Sequence, residues 1–320
     1  MKMEKRPLLS VIIVNYNTRG LLKRCLSSLF ENASDLEVEV FVVDNGSSDD
    51  SLKGTSKFRH QLNLICNQEN LGFARSSNIG FKESCGKYIL FLNPDTEIPA
   101  GALTKMISFM EANRDVGFLV PKICLPNGQF QEDSIGPFPS VFHILVSWSS
   151  LGTLFPFLRR LIFRRYLNPE GAFEVDWASA ACLLCRRELV ERLKGFDEDF
   201  FMYYEDTDLC YRARKMGARV FFYSGVEIIH HRGKSCQDEE MKDAILRRGL
   251  YCFFKKNRGL PYALASMATA VFIISLKLIF FSPISVLVPK SQRLRKAIKT
   301  CLFELKWHLN PKNLGDLFRC

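Results

Sequence analysis

Short apolar runs alternate with stretches of helical periodicity through the first 125 residues. The strand-like runs cover 8–14, 38–43, 62–66, 88–92 and 117–124, and the helical patterns between them cover 21–30, 51–58, 74–83 and 102–113. Strands that alternate with helices at such short intervals are typical of βαβ units and a parallel sheet. The pattern therefore predicts an α/β fold: a Rossmann-like, mostly parallel sheet flanked by helices.

Three of the predicted strands run into polar residues at their carboxyl ends. Asn15 and Tyr16 follow the first strand, Asp44 follows the second, and Asn93 and Asp95 follow the fourth. Ligands of open parallel sheets bind beyond this edge, so we expect the three strand ends to outline one pocket. Its acidic, amide and aromatic side chains suit a nucleotide whose diphosphate is neutralised by a metal ion.

The alternation stops at 136–175, where aromatic and aliphatic residues lead into the basic stretch Arg-Arg-Leu-Ile-Phe-Arg-Arg at 159–165. This amphipathic insert fits either an interfacial membrane segment or a helical flap over the core, and the pattern leaves both open. Strand-like runs return at 178–185, 219–223 and 226–229, and helical patterns at 187–193, 205–216 and 239–257. The fold is therefore expected to resume after the insert.

Residues 260–289 are nearly all apolar, with Lys277 and Pro283 as interruptions. A membrane-spanning helix needs about 20 apolar residues. Basic clusters flank the segment on both sides, which favours keeping both of its ends in the cytoplasm. We expect a re-entrant or in-plane hairpin, with a full span and a packed soluble helix pair as alternatives. A final surface helix is predicted from 299 onward.

The formal charge of the 320-residue chain is +10, and the basic surplus is concentrated at 159–165, 247–258 and 290–299. Basic clusters beside apolar segments indicate an anionic membrane surface as a partner. The chain shows no recognition helix and no interleaving of aromatic and basic residues, so no nucleic-acid partner is expected.

The 11 cysteines are odd in number and scattered, and no secretory signal opens the chain. We therefore expect reduced, cytosolic thiols. Cys182 and Cys185 have the spacing of a zinc-ligand pair, but no second pair completes it. Free cysteine packs as a small apolar residue, so both are predicted to be buried strand residues.

Seven motifs occur in a specific order and spacing. They are Val-Ile-Ile-Val-Asn-Tyr-Asn at 11–17, Val-Val-Asp-Asn-Gly-Ser-Ser-Asp at 42–49, Asn-Leu-Gly-Phe-Ala-Arg-Ser-Ser-Asn-Ile-Gly at 70–80, Phe-Leu-Asn-Pro-Asp at 91–95, Gly-Phe-Asp at 195–197, Phe-Met-Tyr-Tyr-Glu-Asp-Thr-Asp-Leu-Cys-Tyr-Arg at 201–212 and Ile-His-His-Arg-Gly-Lys-Ser at 229–235. Together they resemble glycosyltransferase family 2. The most similar branch is the rhamnosyltransferase-like one that builds bacterial cell-surface polysaccharides.

The resemblance covers roughly 8–235 and implies a GT-A fold. It places a glycosyltransferase domain at 1–235, with a nucleotide-binding half at 1–125, the amphipathic insert at 136–175 and an acceptor and catalytic half at 176–235. Residues 236–320 would then form a C-terminal helical region that associates with a membrane.

On the donor side, the resemblance implies that Asp44 binds the imide of uracil or thymine, although an Asx turn is an equally compatible role. Tyr16 would stack on the base or pack under its loop. Arg75 and Asn78 would contact the nucleotide at a helix N-terminus, where anions are favoured. Asn15, at the first strand end, completes this predicted site.

The resemblance identifies Asp95 as the last acid of an Asp-x-Asp metal motif in which Asn93, a weaker ligand, takes the first position. His230 matches the histidine that closes the metal site, whereas His231 beside it points the opposite way on a strand. One carboxylate, one histidine, diphosphate oxygens and waters can hold Mg²⁺ or Mn²⁺. The predicted enzyme is therefore metal-dependent.

The resemblance places the catalytic base at Asp206, with Glu205 as the second choice, and the sequence does not separate them. Asp208 and Arg212 have the spacing of a helical ion pair. Trp177 either lines the acceptor or sugar pocket or belongs to the core.

The resulting expectation is an inverting glycosyltransferase that moves a sugar from dTDP-rhamnose or a UDP-hexose to a hydroxyl of a lipid-linked saccharide. It would act at the cytoplasmic face of the bacterial inner membrane, as a peripheral or monotopic protein. A nucleotidyltransferase lacks support because no Gly-rich basic loop follows the first strand, and a dinucleotide oxidoreductase lacks its Gly-x-Gly-x-x-Gly motif. The alternative from another class is a catalytically silent scaffold protein of a polysaccharide assembly complex.

Overall fold

The computed structural model describes residues 6–33, 35–148, 163, 165–167, 169–232, 239–288, 291–313 and 315. The strands are β1 (Leu9–Asn15), β2 (Val38–Asp44), β3 (Asn63–Cys66), β4 (Tyr88–Leu92), β5 (Thr96–Glu97), β6 (Val116–Cys124), β7 (Ile135–Gly136), β8 (Ala172–Glu174), β9 (Trp177–Ala178), β10 (Cys182–Arg186) and β11 (Arg219–His230). The helices are α1 (Gly20–Glu31), α2 (Phe73–Glu83), α3 (Ala102–Ala112), α4 (Val141–Trp148), α5 (Arg187–Leu193), α6 (Glu205–Lys215), α7 (Glu239–Arg258), α8 (Leu260–Leu287) and α9 (Gln292–Leu309). Two 3-10 helices cover Ser51–Phe58 and Glu132–Ser134.

The central sheet has the order β3-β2-β1-β4-β10-β6-β11-β5, with β8 paired to β11. The first four strands of this order are parallel, and β6 is parallel to β11. Strand β10 is antiparallel to both of its neighbours, β4 and β6. Every residue of β1 and β4 is buried, which explains their unbroken apolar runs. The predicted α/β architecture with a mostly parallel sheet is confirmed.

Strand register brings the polar strand ends together. Asn15 lies opposite Asp44 in the β1–β2 pair, and His230 lies opposite Thr96 in the β11–β5 pair. The two strands expected at 219–223 and 226–229 form the single strand β11, because an irregularity between Tyr223 and Glu227 shifts its register without ending it.

The buried cysteines are part of this sheet. Cys182 and Cys185 are completely buried in β10, as predicted, and burial raises the pKa of both thiols. The nine cysteines that the structure describes are all free thiols.

The chain divides into two compact units: 1–138 with 165–237, and 139–164 with 238–320. The sheet belongs to the first unit. In the second, α8 packs against α4, α7 and α9. Part of the predicted amphipathic insert, including 149–162, lies outside the described residues.

Helix α8 is one continuous helix from Leu260 to Leu287, so the hairpin expected within 260–289 is wrong. Pro283 lies in the last turns, where its ring and missing N–H disturb only the end of the helix. Helix α9 starts after a short connection and packs against α8, and Lys277 lies near Cys301. The hairpin in this region is therefore formed by α8 and α9, which run antiparallel.

Candidate active site

The ends of β1 and β2 are joined by a buried polar cluster. Asn15 Nδ2 donates to Asp44 Oδ1 at 2.6 Å. Ser47 donates to the same carboxylate through its backbone N–H at 2.9 Å and its hydroxyl at 2.6 Å. Asp44 therefore caps its own turn through the residue three positions on, whereas the expected Asx turn would use the N–H two positions on. A carboxylate has about four acceptor directions, so Asp44 retains the capacity for one further donor.

Tyr16 lies directly beyond this cluster and is half-buried, which leaves part of its side chain accessible. The following loop is held by Asn17, whose backbone is left-handed at φ 52 and whose Oδ1 accepts from the backbone N–H of Ser48 at 2.8 Å. This loop therefore has a defined shape beside the aromatic ring.

Helix α2 begins against the loop that precedes α6. The backbone N–H of Phe73 donates to the carbonyl of Phe201 at 2.7 Å. Gly72 has φ 82, and a Cβ at this position would approach the Phe201 oxygen to 2.3 Å. Only glycine fits this contact, which ties the start of α2 to the 201–204 segment.

The two predicted nucleotide contacts on α2 have different surroundings. Arg75 is exposed, and its Nε lies 3.9 Å from Glu198 Oε2. Asn78 is buried and its amide binds Phe196 on both sides, accepting from the backbone N–H at 2.9 Å and donating to the carbonyl at 2.9 Å. It also donates to Glu198 at 3.0 Å. These contacts give Asn78 a role in holding the 196–198 loop.

Asp95 and His230 meet at the ends of β4 and β11. Asp95 Oδ1 lies 3.1 Å from His230 Nε2, and both side chains are buried. The amide of Asn93 approaches the same imidazole nitrogen at 3.4 Å. The structure thus brings together the three residues predicted around the metal.

His231 has the opposite orientation, as expected for neighbours on a strand. Its Nε2 lies 2.6 Å from Glu97 Oε1, and its backbone N–H donates to the carbonyl of Asp95 at 2.8 Å. It stabilises the turn after Asp95 from the other face.

Gln131 is a site residue that the sequence reasoning missed. Its side chain is buried, and its Oε1 lies 2.7 Å from His230 Nδ1. The residue comes from the turn after β6, outside every motif quoted above, so no sequence pattern identified it.

Glu205 and Asp206 open helix α6 directly after Tyr203 and Tyr204, both left-handed at φ 69. Non-glycine residues rarely adopt this conformation, and two in succession indicate a constrained approach to the helix. Glu205 is buried, and its Oε2 has no hydrogen-bond partner among the described residues. Burial raises the pKa of Glu205 well above its ordinary value, and the neighbouring Asp206 adds to the effect.

Asp206 is half-buried, and hydrogen bonds from the protein stabilise its carboxylate. Its Oδ2 accepts from the backbone N–H of Ala180 at 3.2 Å, and its Oδ1 accepts from the N–H of Thr207 at 2.6 Å. Burial raises the pKa of Asp206, and these N–H groups partly offset the increase.

The segment before β10 connects Asp206 to the metal-side residues. Ala180 donates to Asp206, and the carbonyl of the next residue, Ala181, accepts from the backbone N–H of Asn93 at 2.9 Å. Asn93 is in turn in contact with His230. Asp206, Asn93, Asp95 and His230 therefore lie at one edge of the sheet, within one chain of short contacts.

Three other residues singled out from the sequence have structural contacts. Asp208 and Arg212 form the expected ion pair, with Nε and Oδ2 2.6 Å apart. Arg212 also donates to the carbonyls of Leu193 and Gly195. Trp177 is half-buried, and its indole N–H donates to the carbonyl of Pro137 at 3.0 Å, which orients the ring.

The donor set at Asp95 suits a divalent cation. Among the described residues, no three His, Cys, Asp or Glu side chains form a metal-binding cluster. The potential ligands at this point are Asp95, His230 and the amide of Asn93. If Gln131 Oε1 accepts a proton from Nδ1, the neutral imidazole directs its Nε2 lone pair toward the Asp95 carboxylate. In this tautomer Nε2 and Asp95 Oδ1, which lie 3.1 Å apart, can bind one cation together. Mg²⁺ and Mn²⁺ accept carboxylate, carbonyl and water oxygens, and a diphosphate would complete their coordination.

A model of the family described as "Glycosyl transferase family 2" matches residues 10–193, which is more than half of the chain. The chain belongs to this family. Family 2 membership agrees with the four motifs that lie within 10–193 and establishes the protein as a glycosyltransferase enzyme.

The family 2 relatives include two rhamnosyltransferases. The chain is 28% identical over 242 residues to the N-acetylglucosaminyl-diphospho-decaprenol L-rhamnosyltransferase of Mycobacterium tuberculosis, covering 71% of this chain and 77% of the relative. It is also 28% identical over 235 residues to rhamnosyltransferase WbbL of Escherichia coli, covering 69% and 82%. The rhamnosyltransferase-like character expected from the motifs is confirmed.

Among solved structures, the chain is similar to the mannosyltransferase PcManGT from Pyrobaculum calidifontis in complex with GDP-Man and Mn²⁺. The TM-score is 0.57 at 18% identity, over 98% of this chain and 88% of the other. This likeness confirms the GT-A fold.

Proposed function

We propose that this family 2 enzyme transfers a hexosyl or rhamnosyl group from a nucleotide-diphosphate sugar to a hydroxyl of a lipid-linked saccharide. The observation that carries this proposal is the chain of contacts from His230 and Asn93 through Ala181 and Ala180 to Asp206. This chain of contacts places a carboxylate with a raised pKa beside the pair of residues that would bind the cation. A displacement at C1 of the sugar needs both a base for the acceptor hydroxyl and a cation for the leaving diphosphate.

The nucleoside part of the donor would lie at the ends of β1 and β2. Asp44 retains acceptor capacity for the imide N–H of uracil or thymine, and the accessible part of Tyr16 offers a face for the base. The exposed Arg75 is available to the diphosphate. This arrangement supports a dTDP- or UDP-sugar as the donor.

Asp95, His230 and Asn93 would hold Mg²⁺ or Mn²⁺ against the diphosphate. When bound, the cation would stabilise the negative charge that develops on the departing diphosphate. The buried side chains of Asp95 and His230 would exclude water from one side of it and orient the leaving group. The Mn²⁺ in the complex of PcManGT supports this assignment.

We assign the catalytic base to Asp206 rather than Glu205. Burial raises the pKa of Glu205 well above its usual range, which favours its protonated form and makes it the poorer proton acceptor of the two. Asp206 keeps hydrogen bonds that favour its ionised form, and its pKa is raised in the direction that makes an aspartate a more effective base near neutral pH.

The reaction follows from this placement. The acceptor hydroxyl oxygen forms a bond to C1 of the donor sugar as the bond from C1 to the diphosphate oxygen breaks. The hydroxyl proton passes to an Asp206 carboxylate oxygen, and the nucleoside diphosphate leaves with the bonding electrons. Attack opposite the leaving group inverts the configuration at C1, and no covalent sugar-enzyme intermediate forms.

The acceptor is proposed to be carried by a lipid, as the name of the decaprenol relative says of that protein. Among the described residues, α8 is the one helix with the length and apolarity to cross a membrane. Its outward face is a stripe of exposed apolar residues: Leu264, Phe272, Leu276, Ile279, Phe280 and Ile284. We therefore place the enzyme on the cytoplasmic face of the inner membrane.

The pairing of α8 with α9 favours an in-plane position for α8. Exposed cationic residues line α9: Arg293, Arg295, Lys296, Lys299 and Lys306. If α8 crossed the bilayer, the antiparallel α9 would carry several of them into the hydrocarbon, at a cost of about 3 kcal/mol or more for each. An in-plane α8 instead buries its stripe among acyl chains and leaves α9 at the anionic headgroups.

The proposed function is tested with purified protein, Mn²⁺ or Mg²⁺, and a panel of dTDP- and UDP-sugars added to lipid extracts from polysaccharide-producing bacteria. The expected result is transfer of one sugar, with inverted anomeric configuration, to a lipid-diphosphate-linked saccharide. Binding of a nucleotide sugar without transfer or hydrolysis under every condition would favour the scaffold protein considered above.

A further inference from the structure

The backbone of Gln131 is held in place by hydrogen bonds that do not involve its side chain. Its N–H donates to the carbonyl of Ile123 at 2.9 Å. Its carbonyl accepts from the N–H of Ser134 at 3.0 Å and from the Ser134 hydroxyl at 2.7 Å. The residue is therefore anchored to the end of β6 and to the following 3-10 helix.

The side chain of Gln131 approaches His230 on the side opposite Asp95. Oε1 lies 2.7 Å from Nδ1, while Nε2 of the same ring lies 3.1 Å from Asp95 Oδ1. Gln131 is 6% exposed and His230 is 8% exposed, so water does not readily replace this hydrogen bond. The imidazole is thus held between an amide oxygen and a carboxylate.

We infer that Gln131 is a positioning residue of the metal site, which keeps His230 in the Nδ1–H tautomer with Nε2 directed at the cation. The inference rests on the proposed function, because it assigns Gln131 a part in the same site. Histidines that bind metals commonly donate their second N–H to a fixed oxygen, and removal of such a partner typically lowers metal affinity by about 10–100-fold. Gln131 itself does not touch the substrate or the cation.

The opposite arrangement gives a different role to the same two residues. If the amide group is turned, its NH₂ donates to Nδ1 and the imidazole donates its Nε2–H to Asp95. His230 would then be a structural residue that cannot bind a cation through Nε2. The two arrangements differ in the position of one proton, which can be measured.

Metal affinity is the first test. The free Mn²⁺ signal in electron paramagnetic resonance is followed while Mn²⁺ is titrated into metal-free protein, with and without UDP. Gln131→Leu should weaken Mn²⁺ binding by about 10–100-fold. Gln131→Glu keeps an acceptor oxygen for Nδ1–H and should stay within a few-fold of the parent protein.

The matched control is Gln129→Leu, the same substitution two positions earlier at an exposed residue. It should leave Mn²⁺ affinity unchanged. Wild-type affinity in a folded Gln131→Leu protein would overturn the inference, and so would an equal loss in Gln131→Leu and Gln131→Glu.

The tautomer is the second test, and it does not depend on the stability of the leucine variant. Two-bond ¹H–¹⁵N correlation spectra of histidine-labelled, metal-free and Mg²⁺-loaded protein report which ring nitrogen carries the proton, and His230→Ala identifies the signal. The Nδ1–H form in the Mg²⁺-loaded protein supports the inference. The Nε2–H form in that state contradicts it.

These outcomes are separable from the proposed function. If the wild-type protein transfers sugar at full rate in EDTA and binds no Mn²⁺, the metal site and the role of Gln131 both fail, whereas glycosyl transfer stands. If Mn²⁺ binds and depends on Gln131 but no sugar is transferred, the role of Gln131 stands and the proposed function fails.

Discussion

Asp206 accepts a hydrogen bond from the backbone N–H of Ala180 at 3.2 Å. This single contact joins the first turn of α6 to the segment that enters β10, whose next carbonyl binds Asn93. A carboxylate from one half of the domain is thereby set beside the strand end that carries Asp95. The position of the proposed base is thus defined by the backbone of the sheet rather than by a flexible loop.

Replacing each of the two acids at the start of α6 by its amide should have different effects on activity. Asp206→Asn removes the proton acceptor and should lower the transfer rate by at least about 100-fold, the usual contribution of a general base. Its affinity for nucleotide, measured by calorimetry with UDP or dTDP, should change by no more than a few-fold. Glu205→Gln keeps the size of the side chain without its carboxylate and should retain most activity. The reverse pattern would identify Glu205 as the base.

Glu205 should also make stability depend on pH. Burial raises its pKa in the folded state, so the folded protein binds this proton over a range in which the unfolded chain, with a Glu pKa of about 4.3, has released it. The stabilisation is complete below the unfolded pKa and is lost as pH rises toward the folded value, with a slope of up to about 1.4 kcal/mol per pH unit. Chemical denaturation from pH 4.5 to 8 should show this slope in the wild type and its reduction in Glu205→Gln. Parallel pH dependence in both proteins would contradict the assignment.

Asn93 should limit the strength of cation binding. An amide is a weaker ligand than a carboxylate, so Asn93→Asp should tighten Mn²⁺ binding and reduce the dependence of that binding on added diphosphate. Asp95→Ala should weaken Mn²⁺ and donor binding together. Both are measured by calorimetry with Mn²⁺ alone and with Mn²⁺ and UDP. No loss in Asp95→Ala would remove this residue from the site.

Asn78 and Arg75 provide a matched pair on α2. Asn78→Ala leaves the buried N–H and carbonyl of Phe196 without their partner, so it should lower the free energy of unfolding by about 1–3 kcal/mol. Its effect on donor affinity at a temperature where it is folded should be small. Arg75→Ala is on the surface and should leave stability within about 0.5 kcal/mol while weakening donor binding. Denaturant titration and nucleotide calorimetry of both variants distinguish the two roles.

The exposed stripe of α8 should hold the protein at membranes. Replacing Phe272, Ile279 and Phe280 together by Gln removes large apolar side chains that are 62%, 65% and 64% exposed. The variant should shift from the lipid-bound to the free fraction in flotation with vesicles that contain anionic phosphatidylglycerol. Buried Ile273 and Ile274 must be left intact, because they pack inside the unit. Undiminished flotation of the folded variant would exclude the stripe as the contact surface.

The parts of the site that sequence could predict are those carried by local patterns. Asn15, Asp44 and Asp95 each follow an apolar run, and parallel pairing must bring such strand ends together. Gln131 was not predictable, because its contact with His230 joins residues 99 positions apart and the intervening chain shows no period that aligns them. The three-dimensional path of the turn after β6 decides that contact.

Two other residues show that the position of a residue along a helix does not by itself predict its structural role. Asn78 lies in the opening turns of a helix, where anions bind, but its side chain faces inward and is used by Phe196. Pro283 suggested a break in the apolar run, yet it falls close enough to the end of α8 for the helix to continue past it. For Asn78, contacts with a residue distant in sequence outweigh the local signal.

The antiparallel α8 and α9 have a kinetic consequence for an enzyme whose acceptor is anchored in lipid. With α8 lying in the surface, enzyme and acceptor would meet by lateral diffusion within one leaflet. Turnover would then follow the mole fraction of acceptor among the lipids rather than its molarity in the suspension. Adding inert lipid to vesicles at constant acceptor would slow such an enzyme by surface dilution.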